Sequence, residues 1–335
     1  MRSHGLLARG PLQTIVASRW SAVNENERAT ILLDAALGPE PGQAAPAGAR
    51  TDAPTQTAPS YHRFVHVRPV TARSLVLLAA ALVSCGGRQE TRALPPRGTL
   101  IAHALGGIGG VTYSNSREAF ELWYGRGRRW FEADLALTAD RQLVCFHSGV
   151  ELLLRLESAV GSATLERFLS WRVAGTYTPL SLRGLLELLR DRPDAFVFLD
   201  PGMLTPAVVE GLHAAVDAVG PKVRRQLLVE FYAPEDLAAL RKSEVRRGRF
   251  GAVVLATYQW GPSEEELVRL VTAERIPVVV LGSASASRAL VERLHGAGAR
   301  VVLHTVNDPA LARAWLAAGV DGLMTDFLST AAAGN

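Results

Sequence analysis

The 335-residue chain holds two cysteines and two lysines, and each scarcity removes a class of chemistry. Two cysteines cannot build a disulfide framework, and no zinc-module spacing of Cys and His occurs. Cys145 lies within an apolar run, Leu143-Val144-Cys145-Phe146, and reads as a small core side chain. Lys222 and Lys242 are the only lysines and neither sits at a strand end, which leaves no candidate for Schiff-base chemistry. Long hydrophobic runs are also missing. The stretch Ser74–Ser84 is about half the roughly 20 apolar residues that a spanning helix needs. No basic run interleaved with aromatic residues appears, so the formal charge of +4 does not imply a nucleic-acid partner.

What is present is a chain able to bury a large core, with 48% hydrophobic and 20% charged residues. Residues 1–65 are rich in Ala, Pro, Thr and Gly and read as a disordered extension. Residues 66–85 carry a short basic segment, an apolar run and Leu82-Val83-Ser84-Cys85, the layout of a secretory signal that ends in a bacterial lipobox. The expected consequence is lipidation of Cys85 and a membrane-anchored lipoprotein of the cell envelope, with residues 86–97 as a tether. A signal at this place sets the expected translation start at Val65, Val67 or Val70.

From residue 98 onward, short apolar runs alternate with helical periodicity. The expected strands are 100–103, 130–135, 143–147, 195–200, 226–231, 252–257, 277–281, 301–305 and 322–325. The expected helices are 182–190, 205–219, 234–242, 263–274, 287–297 and 309–318, with Ser181, Ser263 and Asp308 as capping residues. Near-continuous apolar strands between helices point to a parallel sheet covered on both faces. About 230 residues with this alternation fit an α/β fold of the (β/α)8 TIM-barrel type. Nine strands for eight places leaves one peripheral, either 277–281 or the last. The Gly-rich Ala104–Gly110 lacks Gly-x-Gly-x-x-Gly spacing, which weakens a dinucleotide fold.

A barrel places its chemistry at the C-terminal ends of its strands. Those ends here carry His103, Glu132 with Asp134, His147, Asp200, Glu230, Tyr258 and His304. A lone strand-end His is more often structural, and an Asp there often caps the next helix. Their joint occurrence favours a site. Glu132 and Asp134, two apart on a strand, point the same way and repel unless a cation or proton lies between them. A hard divalent ion, Ca²⁺ or Mg²⁺, is the natural occupant, with Asp200 as a third oxygen donor. The two flanking histidines suit acid–base work.

These residues come in a familiar order. The segments Ile101-Ala-His-Ala-Leu-Gly-Gly107, Tyr113-Ser-Asn-Ser-Arg-Glu-Ala-Phe120, Phe131-Glu-Ala-Asp134, Leu137-Thr-Ala-Asp140 and Val144-Cys-Phe-His147 resemble the opening of the glycerophosphodiester phosphodiesterases. The later His304-Thr-Val-Asn-Asp308 and Gly319-Val-Asp-Gly-Leu-Met-Thr-Asp326 resemble their closing pair. The resemblance implies a barrel of the phospholipase-C-like phosphodiesterase type, in a divergent bacterial subgroup. It implies His103 and His147 as the general acid–base pair and Glu132, Asp134 and Asp200 as metal ligands. Asn115, Glu230, Tyr258 and His304 are the expected substrate-binding residues. The expected partner is a small phosphodiester or lipid head group, met by a monomer anchored to a membrane.

The sequence departs from that family at four places. Ala104 stands where an Arg is usual, Ser114 where a Glu is, Ser148 where an Asp is, and Gly202 where a Lys is. Two lost cations weaken phosphodiester binding by roughly 1.5–3 kcal/mol each, unless a protonated His304 replaces one. The alternative reading is therefore a catalytically degenerate barrel that binds a phosphorylated or envelope ligand without hydrolysing it.

Overall fold

A computed structural model gives the structure of residues 94–258 and 262–330. The expected extension over 1–65, the signal with Cys85, and the tether up to residue 93 lie outside the described residues. The end of the expected tether does not hang free: Pro95 is buried and Leu94 packs against the barrel interior. Among the described residues no helix is long and apolar enough to cross a membrane.

Eight parallel strands close into a barrel: β1 (Thr99–Ala102), β2 (Trp130–Leu137), β5 (Phe196–Asp200), β6 (Leu227–Phe231), β7 (Ala252–Ala256), β8 (Val278–Gly282), β9 (Arg300–His304) and β10 (Gly322–Thr325). The ring closes where β1 pairs with β10, Leu100 opposite Leu323, and with β2, Ala102 opposite Phe131. Both 278–282 and 322–325 are therefore staves, contrary to the expectation that one of them is peripheral. The extra strand is β3 (Leu143–Cys145). It runs antiparallel to β2, with Leu137 opposite Leu143 and Leu135 opposite Cys145, and pairs in turn with β4 (Leu180–Ser181). The reason is chain length: a parallel neighbour needs a crossover of a dozen or more residues, and five separate β2 from β3. A tight turn fills that gap, pinned by Thr138, whose Oγ1 donates to Asp140 Oδ1 at 2.6 Å and accepts from the Gln142 N–H at 3.0 Å.

Eight α-helices accompany the strands among the described residues: α1 (Arg117–Gly125), α2 (Leu165–Ser170), α3 (Leu182–Arg190), α4 (Pro206–Val219), α5 (Pro234–Arg247), α6 (Glu264–Glu274), α7 (Arg288–Gly296) and α8 (Pro309–Ala317). Ser181, Ser263 and Asp308 cap as expected, accepting from the N–H groups of Gly184, Glu266 and Leu311. Two helices lack a counterpart in the sequence reading. One is α1, opened by Ser116 accepting from Ala119 N; the other is the six-residue α2.

Strand alternation sorts the core into two layers. Leu100, Ala102, Val197, Leu199, Val301 and Leu303 pack outward with the helices. Ile101, Phe198, Leu228, Val254, Ala256, Val302 and Met324 fill the barrel interior. A third cluster, with Val144, Phe146, Leu154, Phe168 and Trp171, forms the satellite between β2 and α3. This satellite brings β3 back level with the barrel rim, where the Phe146 N–H donates to the Asp134 carbonyl at 2.9 Å.

Candidate active site

One step of two residues beyond an interior side chain takes six of the eight staves from core to rim on the same inward face. That step runs from Ile101 to His103, Phe198 to Asp200, Leu228 to Glu230, Ala256 to Tyr258, Val302 to His304 and Met324 to Asp326. The strand-end polar residues are therefore the uppermost inward layer of the barrel. β2 contributes two rungs, Glu132 and Asp134, because Trp130 below them is already interior.

His103 sits on a short 3-10 turn that follows β1, buried to 3% exposure. Its Nδ1 donates to Asp326 Oδ1 at 2.9 Å, and its Nε2 lies 3.1 Å from His304 Nε2 and 3.9 Å from Glu132 Oε2. Burial disfavours the charged ring. The hydrogen bond and charge of Asp326, with Asp134 and Asp200 beyond it, outweigh burial and raise the pKa above its ordinary value. Asp326 is in turn fixed by Asn307, whose Nδ2 donates to Oδ2 at 2.6 Å and whose Oδ1 accepts the Asp326 N–H at 2.8 Å.

His304 behaves oppositely. Burial and the positive charges of His103 and His147 push its pKa well below the usual value. That direction runs against a protonated His304 as a replacement cation. Its ring stacks on Tyr258 at 4.7 Å and meets His103 edge-on at 4.8 Å.

Glu132, Asp134 and Asp200 each offer an oxygen, and those atoms lie within 4.8 Å of one another. Glu132 Oε2 accepts the Ala104 N–H at 2.7 Å, while its Oε1 is buried without a partner. Burial first, then the charges of Asp134, Glu230 and Asp200, push the Glu132 pKa well above the ordinary range. Asp134 is clasped by Asn115, which donates from Nδ2 to Oδ2 at 2.8 Å and accepts the Asp134 N–H at 3.2 Å. Asp200 takes the Gly202 N–H at 2.8 Å and the hydroxyls of Tyr232 at 2.6 Å and Tyr258 at 2.9 Å. Burial and the neighbouring Asp134 charge still raise its pKa. Glu230, fully buried, accepts from Tyr258 at 3.0 Å, and burial with the Asp200 charge drives its pKa well upward. A divalent cation fits this donor set: close carboxylates repel one another, and Glu132 Oε1 is buried without a hydrogen bond.

His147 is exposed at the mouth and linked to His103 through Tyr113, whose ring lies 4.9 Å from His103 and 5.1 Å from His147. Two of the departures acquire a local role. The Gly202 N–H binds Asp200 from a turn at φ +63°, and the Ala104 N–H binds Glu132 at φ +48°. Asn115, expected to touch substrate, has both amide atoms engaged by Asp134. Cys145 is a buried thiol whose pKa is raised by burial and by Asp134 and Glu132, in keeping with a core role. Sequence reading missed Asp326, Asn307 and Tyr232 as site members. Asp326 and Asn307 lie in the closing motifs, so a signal existed for them; Tyr232 carries none.

The segment 203–330 matches the model of the glycerophosphoryl diester phosphodiesterase family. A comparison with curated proteins gave no match. Among solved structures, a Silicibacter pomeroyi protein named for the same activity is 21% identical, with a TM-score of 0.58, 72% of this chain and 93% of that one being covered. A glycerophosphodiester phosphodiesterase from Agrobacterium tumefaciens is 17% identical at TM-score 0.55, covering 70% and 97%. An Oleispira antarctica phosphodiesterase, in complex with the product sn-glycerol-3-phosphate, is 19% identical at TM-score 0.53, covering 68% and 92%. These likenesses show a shared barrel. The matched segment spans the second part of the barrel, and the late His304–Asp308 and Gly319–Asp326 segments lie inside the match.

Proposed function

We propose that this phosphoric diester hydrolase cleaves phosphodiesters of glycerol or related lipid-derived head groups, with His103 and His147 as its acid–base pair. The observation that carries the reading is the placement of His103. Asp326 holds it at Nδ1, it carries a raised pKa, and its Nε2 points to the side where three carboxylates converge. A histidine whose pKa is raised suits the group that delivers a proton to a departing alkoxide. The solvent-facing His147 suits the base that takes the proton from the nucleophile, either water or a neighbouring hydroxyl of the substrate's own glycerol. The new P–O bond forms as the bond to the leaving oxygen breaks, and each His ends in the protonation state in which the other began.

Glu132, Asp134 and Asp200 would hold a divalent cation, Ca²⁺ or Mg²⁺, whose charge stabilises the phosphoryl oxygens when bound. Asn115 keeps Asp134 aimed inward, and Tyr232 and Tyr258 do so for Asp200. Their phenols stay protonated, because burial and the carboxylate charges raise both pKa values. The lipobox reading of residues 82–85 supports an envelope location, which incorporation of labelled palmitate at Cys85 tests.

The activity test uses the full-length chain with a panel of glycerophosphodiesters and bis(p-nitrophenyl) phosphate, in Ca²⁺, Mg²⁺ or chelator. Metal-dependent turnover that disappears in His103→Ala supports the reading. Absence of turnover in a folded, cation-binding protein would establish the binding-only barrel. One consideration favours that outcome: the lowered pKa of His304 leaves it a poor substitute for the cations lost at Ala104 and Gly202.

A further inference from the structure

The formal charge of the chain is only +4, yet the two ends of the barrel carry it very unevenly. The segments that lead into the eight staves at the base are 94–98, 126–129, 191–195, 220–226, 248–251, 275–277, 297–299 and 318–321. They hold ten Lys and Arg against three acids, Asp191, Asp194 and the buried Asp321. At the mouth, the satellite over 138–181 carries four charges of each sign. The seven other segments that leave a stave hold no Lys or Arg and two acids, Asp308 and Asp326.

Helix C-termini lie at the base, and their dipoles favour cations there. That alone is insufficient, because 297–299 and 318–321 also follow helix ends and hold none. Internal pairing uses part of the excess: Arg97 with Asp321, Arg129 with Asp194 and Arg224 with Asp217. Arg126, Lys222, Lys242, Arg246, Arg249 and Arg275 are exposed and make no ion pair among the described residues. Four of these gather on one side of the base. The Gly251 N–H donates to the carbonyls of Arg224 at 3.0 Å and Leu227 at 2.9 Å, which sets the segment of Lys222 beside that of Arg249. Lys242 and Arg246 lie on the last turns of α5, with Val245, 89% exposed, next to them. Phe250, the aromatic residue of that segment, is buried.

Cations around an exposed aliphatic side chain suit anionic head groups over a bilayer, whereas the stacking rings that single-stranded nucleic acid takes are missing. Leu94, ahead of β1, packs on the barrel interior, so the chain reaches the barrel from this same end. We propose that the base of the barrel docks on an anionic lipid surface and so turns the mouth toward water. The proposal concerns the end of the barrel opposite the carboxylates and stands apart from the catalytic reading.

The test is co-sedimentation of the full-length chain, with Cys85→Ser so that no acyl chain is attached. The vesicles are phosphatidylglycerol with phosphatidylcholine, or phosphatidylcholine alone. Binding to the anionic vesicles only, lost at about 0.5 M NaCl, is expected. Lys242→Glu/Arg246→Glu/Arg249→Glu is expected to bind about 100-fold more weakly, with an unchanged melting temperature. Arg141→Glu/Arg155→Glu/Arg172→Glu makes the same charge change on the exposed satellite surface and is expected to bind within about threefold of wild type. Lys242→Gln/Arg249→Gln serves if the base triple variant fails to fold. A dye on Val245→Cys is expected to be shielded from iodide by the vesicle, and one on Ala284→Cys, exposed at the mouth, is expected to stay open to it. Undiminished binding by the folded base variants, or equal loss in both triple variants, would overturn the proposal. So would equal binding to the neutral vesicles, the reverse shielding, or tighter binding to duplex DNA than to the anionic vesicles.

Discussion

Between β1 and Gly202 the backbone turns irregular where the polar side chains gather, whereas from Met203 onward it runs in plain strand–helix units. Of eight non-glycine residues with positive φ among the described residues, seven lie in the first region: Ala104, Leu105, Tyr113, Asn115, Arg141, Arg155 and Ala174. Only Arg275 lies in the second. The first region holds His103, Glu132, Asp134, His147 and Asp200, together with the antiparallel satellite. The second carries the family match. Such left-handed residues are uncommon and persist where the surroundings over-determine them. The contrast shows where divergence is tolerated. The scaffold half keeps a recognisable pattern, and the half that bears the chemistry has changed at Ala104, Ser148 and Gly202.

Breaking the chemical half first gives the largest effect. His103→Ala is expected to lower turnover by about 10³-fold or more, equivalent to roughly 4 kcal/mol of barrier, with little change in melting temperature. An active His103→Ala enzyme would move the chemistry elsewhere. Next comes the backbone that carries His103. At Gly106, φ is +100° and a Cβ would lie 2.1 Å from the buried Trp123 ring. Gly106→Ala is expected to cost about 3 kcal/mol in urea unfolding; a stability equal to wild type would show that this turn is free to move.

Asp326→Asn crosses between the regions. It removes the charge that outweighs burial at His103, so the His103 pKa falls and less of it is protonated at neutral pH. Turnover is expected to drop by about 10²-fold, with the limb set by His103 displaced to lower pH. A profile equal to wild type would detach the scaffold half from the chemistry.

The smallest effect is confined to the scaffold half. Asp321 accepts from Val301 N at 2.9 Å, Arg300 at 2.7 Å and His295 at 2.7 Å. Burial alone would raise its pKa, but these donors outweigh burial and lower it. A carboxylate depressed in the folded state stabilises above its unfolded pKa, near 3.9, and loses that contribution as pH falls through the lower folded value. Asp321→Asn is expected to cost about 1 kcal/mol at pH 7 after allowance for solvent screening, and to flatten the acid side of a urea-midpoint series. A wild-type acid slope in that variant would assign the loss to other groups.

Much of the barrel was legible because its staves alternate with capped helices, and the rim was legible because motif residues fall two past an interior side chain. The misplacement of the ninth strand shows the limit. Leu143–Cys145 reads as a stave by composition, and only the five-residue gap from Leu137 reveals that it must turn back. The short α2 lies below the length at which periodicity is readable. Pairings across the ring were out of reach. Nothing local to His103 announces Asp326, 223 positions away, and nothing local to His304 says that burial between His103 and Tyr258 will push its pKa down.

The closure of the ring at β1 and β10 makes the enzyme's first strand wait for its last. Leu100 pairs with Leu323, and the buried Arg128 donates to the carbonyls of both Leu100 and Leu328 at 2.7 Å, fastening the beginning and end of the barrel with one side chain. The ring of His103, just past the first stave, is held at Nδ1 by Asp326, just past the last. For a phosphodiester hydrolase, closure of the ring and assembly of the site are therefore one event.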